Sequence, residues 1–239
     1  MASILVIGVV ALLLGLFCWA AFAYNAPVFG RMPWHVPVKE KVLALTFDDG
    51  PNQPFTGQIA EIIESYGGKA TFFVVGKNCE RFPATASEMQ ARGHQIGAHS
   101  YSHAFHKYLV DPFYKREIAR AKAVLDTQGV RATAFRFPWL FRTPWLISSV
   151  KQAGYGMPIS GQFSHAFEPF QVDAQKIIAH TLKLARPGAI IIFHDGYNAK
   201  AADRTQTVAA VREVTKVLAG QGYRFVTVSE LLAIAQKNG

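Results

Sequence analysis

From Val42 onward, short apolar runs alternate with amphipathic stretches, and this alternation limits the possible folds more than any other feature. Strand-like runs fall near Val42–Phe47, Ala70–Val75, Gln95–His99, Thr133–Pro138, Gly156–Ser160, Ala189–His194 and Tyr223–Val228. Helical patterns lie between them, near Thr56–Tyr66, Thr85–Arg92, Pro112–Gln128, Trp145–Ala153, Ala174–Ala185 and Thr205–Ala219. A closing helix near Ser229–Gln236 would take Ser229 as its cap. Strand then helix, repeated about seven times, predicts an α/β protein with a mainly parallel sheet, because parallel neighbours need a crossover long enough to hold a helix. An open doubly wound sheet and a (β/α) barrel both satisfy the pattern. No glycine-rich phosphate loop follows the first run, which weakens the dinucleotide-binding version. In such folds chemistry collects at the C-terminal ends of the strands. Asp48 and Asp49, His99, Arg136 and His194 stand at four of those ends.

The N-terminal segment is of another kind. No charged side chain occurs from Met1 to Gly30, so the whole net charge of +9, from 25 Lys and Arg against 16 Asp and Glu, lies beyond it. Ile4–Ala23 supplies about 20 apolar residues, roughly 30 Å of helix and enough to cross a bilayer. Trp19 and Tyr24 lie where interfacial aromatics sit. Ala21-Phe22-Ala23 also fits a signal-peptidase site, but a charged leading region is missing and the run is long for a signal core, which favours an uncleaved anchor. The expected organisation is an anchor over residues 1–24, a linker over 25–40 bearing Pro27, Pro33 and Pro37, and one α/β domain over 41–239. Arg31, Lys39 and Lys41 follow the segment, so a positive-inside count alone would leave the domain in the cytoplasm.

Composition narrows the rest. Half of the residues are hydrophobic and nothing repeats at a heptad period, which excludes a disordered chain or a coiled coil. No second apolar run is long enough for a polytopic protein. Cys18 and Cys79 are too few for a disulfide framework or a Cys-rich zinc site and are expected as free thiols. The absence of a nucleic-acid-binding motif or a Lys/Arg-rich run argues against DNA or RNA as a partner, and no obligate protein partner is evident.

The chemistry-bearing residues form a pattern. Thr46-Phe47-Asp48-Asp49-Gly50-Pro51 sets two carboxylates at a strand end, and His99-Ser100-Tyr101-Ser102-His103 holds two imidazoles four apart, able to share one metal if the loop turns helically. Each alone reads as an ordinary turn or a surface histidine pair. Together they supply one carboxylate and two imidazoles, the three-ligand set that leaves open positions on a catalytic ion. Arg136-Phe137-Pro138-Trp139 adds a guanidinium, and Ile190-Ile191-Ile192-Phe193-His194-Asp195 adds a further imidazole.

Taken in order, TFDDGP, HSYSH, RFPW and IIFHDG resemble the motifs of the polysaccharide deacetylase family (carbohydrate esterase family 4), from about Lys41 to about Leu232. The resemblance implies a distorted (β/α) barrel of about seven units, here preceded by one transmembrane helix. It implies that Asp49, His99 and His103 hold a divalent metal, usually zinc. Asp48 would be the general base, oriented by Arg136, and His194 the general acid. The backbone N–H of Trp139 would help bind the oxyanion, and Ile191 would line the acetyl pocket. The implied activity is metal-dependent removal of N-acetyl groups from amino sugars of a poly- or oligosaccharide, on the extracytoplasmic side of the membrane. Two rivals are a deacylase or deformylase of a lipid-linked amino sugar and an inactive carbohydrate-binding member. One departure stands out. The family's Asp-Trp motif, whose Asp pairs with the acid histidine, is missing between Gly154 and Glu168, so His194 either lacks a carboxylate partner or borrows Glu168 or Asp195. His35, His94, His106, His165 and His180 match no motif and are expected to be surface or locally bonded.

Overall fold

The structure, a computed structural model, describes residues 2–156 and 158–238, and the side chains of residues 3–156 and 158–237. At its centre lies β1 (Val42–Asp48), every residue of which is buried. Such a strand is covered on both faces, as the continuous apolar run Val42–Phe47 requires. Around it stand β2 (Thr71–Val74), β3 (Gln95–Ala98), β4 (Ala134–Phe135), β5 (Gln162–Phe163), β6 (Ile190–His194) and β7 (Arg224–Phe225). The order is β4-β3-β2-β1-β6-β5, with β7 on the lower half of β1, and all pairings are parallel.

The gap between β4 and β5 closes irregularly. Pro158 bridges Phe135, and the N–H groups of Gly156 and Ile159 donate to Thr133 and Phe135, each at 2.8 Å. This completes the expected distorted barrel. The fifth strand was expected at Gly156–Ser160; that segment instead serves the closure, and the regular pairing with β6 starts at Gln162. Gly161 lies so close to β6 that a Cβ there would stand 2.7 Å from the Ile192 side chain. Met157 lies outside the described residues.

Among the described residues the α-helices of the barrel are α2 (Phe55–Glu64), α3 (Gly76–Arg81), α4 (Thr85–Ala91), α5 (Phe113–Thr127), α6 (Pro144–Gln152), α7 (Ala174–Leu184), α8 (Thr205–Gly220) and α9 (Val228–Asn238), following the apolar α1 (Ala2–Phe22). The sequence pattern missed α3, a short helix with no apolar stripe of its own. α9 is capped two residues earlier than expected: Thr227 Oγ1 accepts from Glu230 N–H at 3.2 Å while Glu230 Oε2 accepts from Thr227 N–H at 2.8 Å. That reciprocal pair outcompetes Ser229 for the cap.

Strand alternation divides the core in two. Leu43, Leu45, Phe47, Phe72, Ile191 and Phe193 face outward against the helices, with Ile59 and Ile63 of α2 and Val211 and Val214 of α8. Val42, Ala44, Phe73, Ala134, Ile159 and Ile190 fill the barrel interior, closed below by Val228 and Leu231 of α9. Val36 joins that inner cluster. Residues 25–40, expected as a linker, are therefore a strap bonded to the barrel: Val36 N–H donates to Gly188 at 2.8 Å, and Pro33 accepts from Ser160 N–H at 2.8 Å. The stretch turns at Pro27, whose carbonyl accepts from Gly30 N–H at 3.1 Å, and further along its backbone groups find partners on the irregular wall beside β5.

Candidate active site

The inner rows of the barrel change character along their length. On β1 the row runs Val42, Ala44, Thr46, Asp48; on β6 it runs Ile190, Ile192, His194, with Asp48 and His194 in register. His99 and Arg136 follow β3 and β4 directly, so four elements aim polar groups at one rim. Arg136 is fully buried beneath that rim. Its guanidinium donates to Asp48 Oδ1 at 2.7 Å, Thr46 Oγ1 at 2.8 Å and the Ser160 carbonyl at 3.0 Å, and it lies 4.1 Å above the Phe73 ring. Gly97 makes room for that ring, since a Cβ there would stand 2.5 Å from it.

Asp49 turns the other way because its backbone is left-handed, at φ 73°. Its Oδ2 accepts from Asn198 N–H at 2.8 Å, and its carbonyl accepts from Asn78 Nδ2 at 2.7 Å. Its Oδ1 is buried without a hydrogen-bond partner, while His103 Nε2 stands 3.2 Å and His99 Nε2 3.6 Å away. His99 Nδ1 lies 2.8 Å from the Arg136 carbonyl, which can only accept, so Nδ1 carries the proton and the Nε2 lone pair faces Asp49. Burial, then the neighbouring His103, hold His99 far below its ordinary range, at about 3, so this ring stays neutral. Two acceptor atoms converging on one buried point fit a bound cation. The three candidate ligand atoms lie within 4.8 Å of one another.

The loop carrying His103 does not turn helically, yet it still brings His103 beside His99 and Asp49. Ser100 and His103 both take left-handed backbone, at φ 69° and 51°, and the loop is pinned from beneath by Glu117, whose Oε2 accepts from Ser102 N–H at 2.7 Å and Ser102 Oγ at 2.8 Å. Trp139 and Leu140 are left-handed as well, at φ 55° and 57°. Non-glycine residues seldom adopt this region, and five of them gather here, as at sites where geometry is held against local preference. The Trp139 ring meets His103 edge-on at 4.2 Å.

The opposite wall holds His194. Its Nδ1 lies 2.6 Å from Glu168 Oε2, and Glu168, fully buried, also accepts from the Thr207 hydroxyl. Of the two partners left open by the missing motif, Glu168 is the one in contact. Asp195 instead accepts from Thr56 Oγ1 at 2.6 Å. Burial disfavours the charged imidazole, but the charge and hydrogen bond of Glu168 outweigh it, aided by Asp49 and Asp48, and push His194 up to about 9. Asp48, Asp49, His99, His103 and His194 line a cleft of about 350 Å³ walled by Trp139, Leu140, Phe163, Phe170 and Tyr197.

One expected site residue lies elsewhere. Ile191 is fully buried in the outer core, on the opposite face of β6 from His194, and does not line the cleft. A strand's period of two makes Ile192 the neighbour on the His194 face. The sequence offered no signal for Asn78, Asn198 or Thr207, which act through contacts distant in the chain. His35, His94, His165 and His180 are locally bonded as expected. Cys18 and Cys79 are free.

A parallel α/β barrel with a carboxylate–imidazole cluster at its C-terminal rim defines a hydrolase of the metal-dependent class. The chain belongs to the polysaccharide deacetylase family, whose profile matches residues 35–158. It is 34% identical over 203 residues to a peptidoglycan-N-acetylglucosamine deacetylase of Bacillus cereus, covering 85% of this chain and 93% of that one. It is 30% identical over 191 residues to the chitooligosaccharide deacetylase of Azorhizobium caulinodans, covering 75% and 89%. Among solved structures, the peptidoglycan deacetylase PdaC of Bacillus subtilis superposes with a TM-score of 0.73 at 30% identity, covering 84% of this chain and 94% of that one.

Proposed function

We propose that this protein is a membrane-anchored N-deacetylase of the cell envelope, removing acetyl groups from N-acetylglucosamine-type units of a glycan on the extracytoplasmic side. The observation that carries this reading is the division of labour within the adjacent pair. Asp48 is tied to Arg136, whereas Asp49 presents an unpartnered oxygen to two imidazoles. A divalent ion, zinc by family preference, held by Asp49, His99 and His103 supplies Lewis acidity that polarises the amide carbonyl and acidifies water.

The remaining steps belong to the side chains. Asp48 takes the proton from the attacking water through the carboxylate oxygen that Arg136 leaves free. Arg136 fixes the orientation of Asp48 through the bond to its Oδ1. The Trp139 backbone N–H supports the developing oxyanion. His194, protonated through Glu168, delivers its proton to the departing amine, a nitrogen that leaves poorly as an anion. A positioned base and acid each contribute roughly 10² to 10⁴ in rate.

The test uses Asp48→Asn and Asp49→Asn on one N-acetylglucosamine oligomer, measuring metal content and turnover together. Asp48→Asn should keep the metal and lose roughly 10² to 10⁴ in kcat, whereas Asp49→Asn should lose metal affinity. The opposite pattern reverses the roles, and full activity in both variants refutes the mechanism.

The anchor reading rests on α1, of which Ser3–Phe22 is long and apolar enough to span a membrane.

A further inference from the structure

α1 does not end in solvent. Ile4, Leu5, Leu12 and Leu13 are more than half exposed, whereas Ala20 and Ala21 are buried, and Ala21 belongs to the main core. These small residues let the last turn of α1 lie against the segment Pro138–Arg142. The N–H of Arg142 donates to the Ala21 carbonyl at 3.0 Å. Its guanidinium, fully buried, donates to the carbonyls of Ala23, of Ala26 at 2.6 Å and of Leu140 at 3.3 Å. A cation thus sits just beyond the C-terminus of the helix, where its dipole is negative. Next to this clamp, Phe22 packs on Phe141 at 5.0 Å and on Phe105 at 6.1 Å, and Phe105 packs on Trp139, part of the cleft wall, at 5.1 Å.

Length then fixes height. With the last turn held in the domain, residues 2–19 remain for the bilayer, roughly 27 Å at 1.5 Å per residue, against about 30 Å of hydrocarbon. No stalk is left over. Nor can residues 25–40 act as a tether, because they are bonded to the barrel at Ser160 and Gly188. The short turn that meets Phe22 continues into exposed Leu109, Val110 and Phe113, and exposed Trp145 follows Arg142, side chains suited to a headgroup interface.

We infer that Arg142 locks the membrane helix to the cleft wall, so that the cleft works at a fixed height on the bilayer surface and takes N-acetylated amino sugars held there, on a lipid carrier or at the membrane-proximal end of a polymer. This rests on the deacetylase and anchor readings above.

The test places the full chain in phospholipid vesicles with three probes: a free N-acetylglucosamine tetramer, a lipid-linked dimer, and a long N-acetylglucosamine oligomer attached to lipid at one end. Mass spectrometry maps free amines along the long oligomer. In the unaltered chain they should concentrate on the sugars nearest the lipid, at least ~10-fold over the distal end, because confinement sets the effective concentration. Arg142→Gln should flatten that gradient. A short Gly-Ser insertion between Trp19 and Ala20, which keeps Ala20–Phe22 and the Arg142 bonds while releasing the Trp19 carbonyl and Phe17 from the domain, should move the amines outward even if Arg142→Gln fails to fold. Comparing the dimer with the long oligomer separates a lipid carrier from a polymer as source. Turnover of the tetramer with amines spread evenly along the oligomer overturns the inference and leaves the deacetylase standing. A gradient unchanged by either alteration overturns the clamp. No turnover on any probe overturns the deacetylase reading, and the inference with it.

Discussion

Replacing Glu168 with glutamine isolates what that carboxylate does for His194. The side chain keeps its size and can still hydrogen-bond the ring, but the charge beside the imidazole is gone. With Glu168 in place His194 sits at about 9, raised from 6.5 against the opposing effect of burial. Without it, burial remains and the ring should fall to 6.5 or lower. At pH 8 the protonated fraction then drops from about nine-tenths to about 3%, a loss of roughly 30-fold in available acid. At pH 6 the ring is still largely protonated in both forms, and the loss should shrink to less than about 2-fold if the ring sits at 6.5. The assay is kcat against pH on one N-acetylated oligomer, with metal content measured alongside. The basic limb should move from near pH 9 to near 6.5 or below while metal content stays constant. A loss of equal size at pH 6 and pH 8, or a basic limb that does not move, refutes the assignment of Glu168.

The same pair carries a stability signature. A histidine raised in the folded state stabilises fully below its unfolded value and loses that contribution as pH climbs through the folded value. Here the contribution is about 3 kcal/mol below pH 6.5, declining between 6.5 and 9. Glu168→Gln should therefore be more destabilising at pH 6 than at pH 10.

Two further substitutions probe the support beneath the rim. Gly97→Ala sets a Cβ 2.5 Å from the Phe73 ring and 3.2 Å from the Ala134 carbonyl; it should cost about 1–3 kcal/mol in denaturant unfolding and lower kcat by displacing the ring under Arg136. Arg136→Met removes the partner of the buried Asp48 carboxylate and should cost about 3–5 kcal/mol in denaturant unfolding at neutral pH.

How far the sequence led can be judged from particular residues. The strands with long apolar runs, β1 and β6, were legible to within a residue, since burial on both faces leaves a continuous signal. The fifth strand was not, because Gly156–Ser160 takes its partners from β4 and the strap rather than from a ladder, and no local pattern encodes that. Asp48, Asp49, His99 and His194 lie at the rim, as their strand-end positions suggested, with Arg136 buried just beneath it and His103 brought in by the loop after His99. Ile191 fails by one residue of register, the error to which a period of two is most sensitive. Glu168 was legible only as one of two alternatives, because its contact with His194 spans a loop and a turn whose path depends on the barrel wall.

Adjacent carboxylates can serve opposite roles only if the backbone between them breaks the strand. Were Asp49 extended like Asp48, alternation would send it outward toward the helices, and Asp48 alone would face both the imidazoles and Arg136. The left-handed φ of 73° at Asp49 returns its carboxylate to the rim, and Asn78 and Asn198 hold it there through its carbonyl and Oδ2. Such a conformation costs of order 1–3 kcal/mol, which the hydrogen bonds from Asn78 and Asn198 can offset. The barrel thus makes the strain at Asp49 part of the site. It separates a carboxylate bound to Arg136 from one that faces two imidazole nitrogens, within a single peptide step.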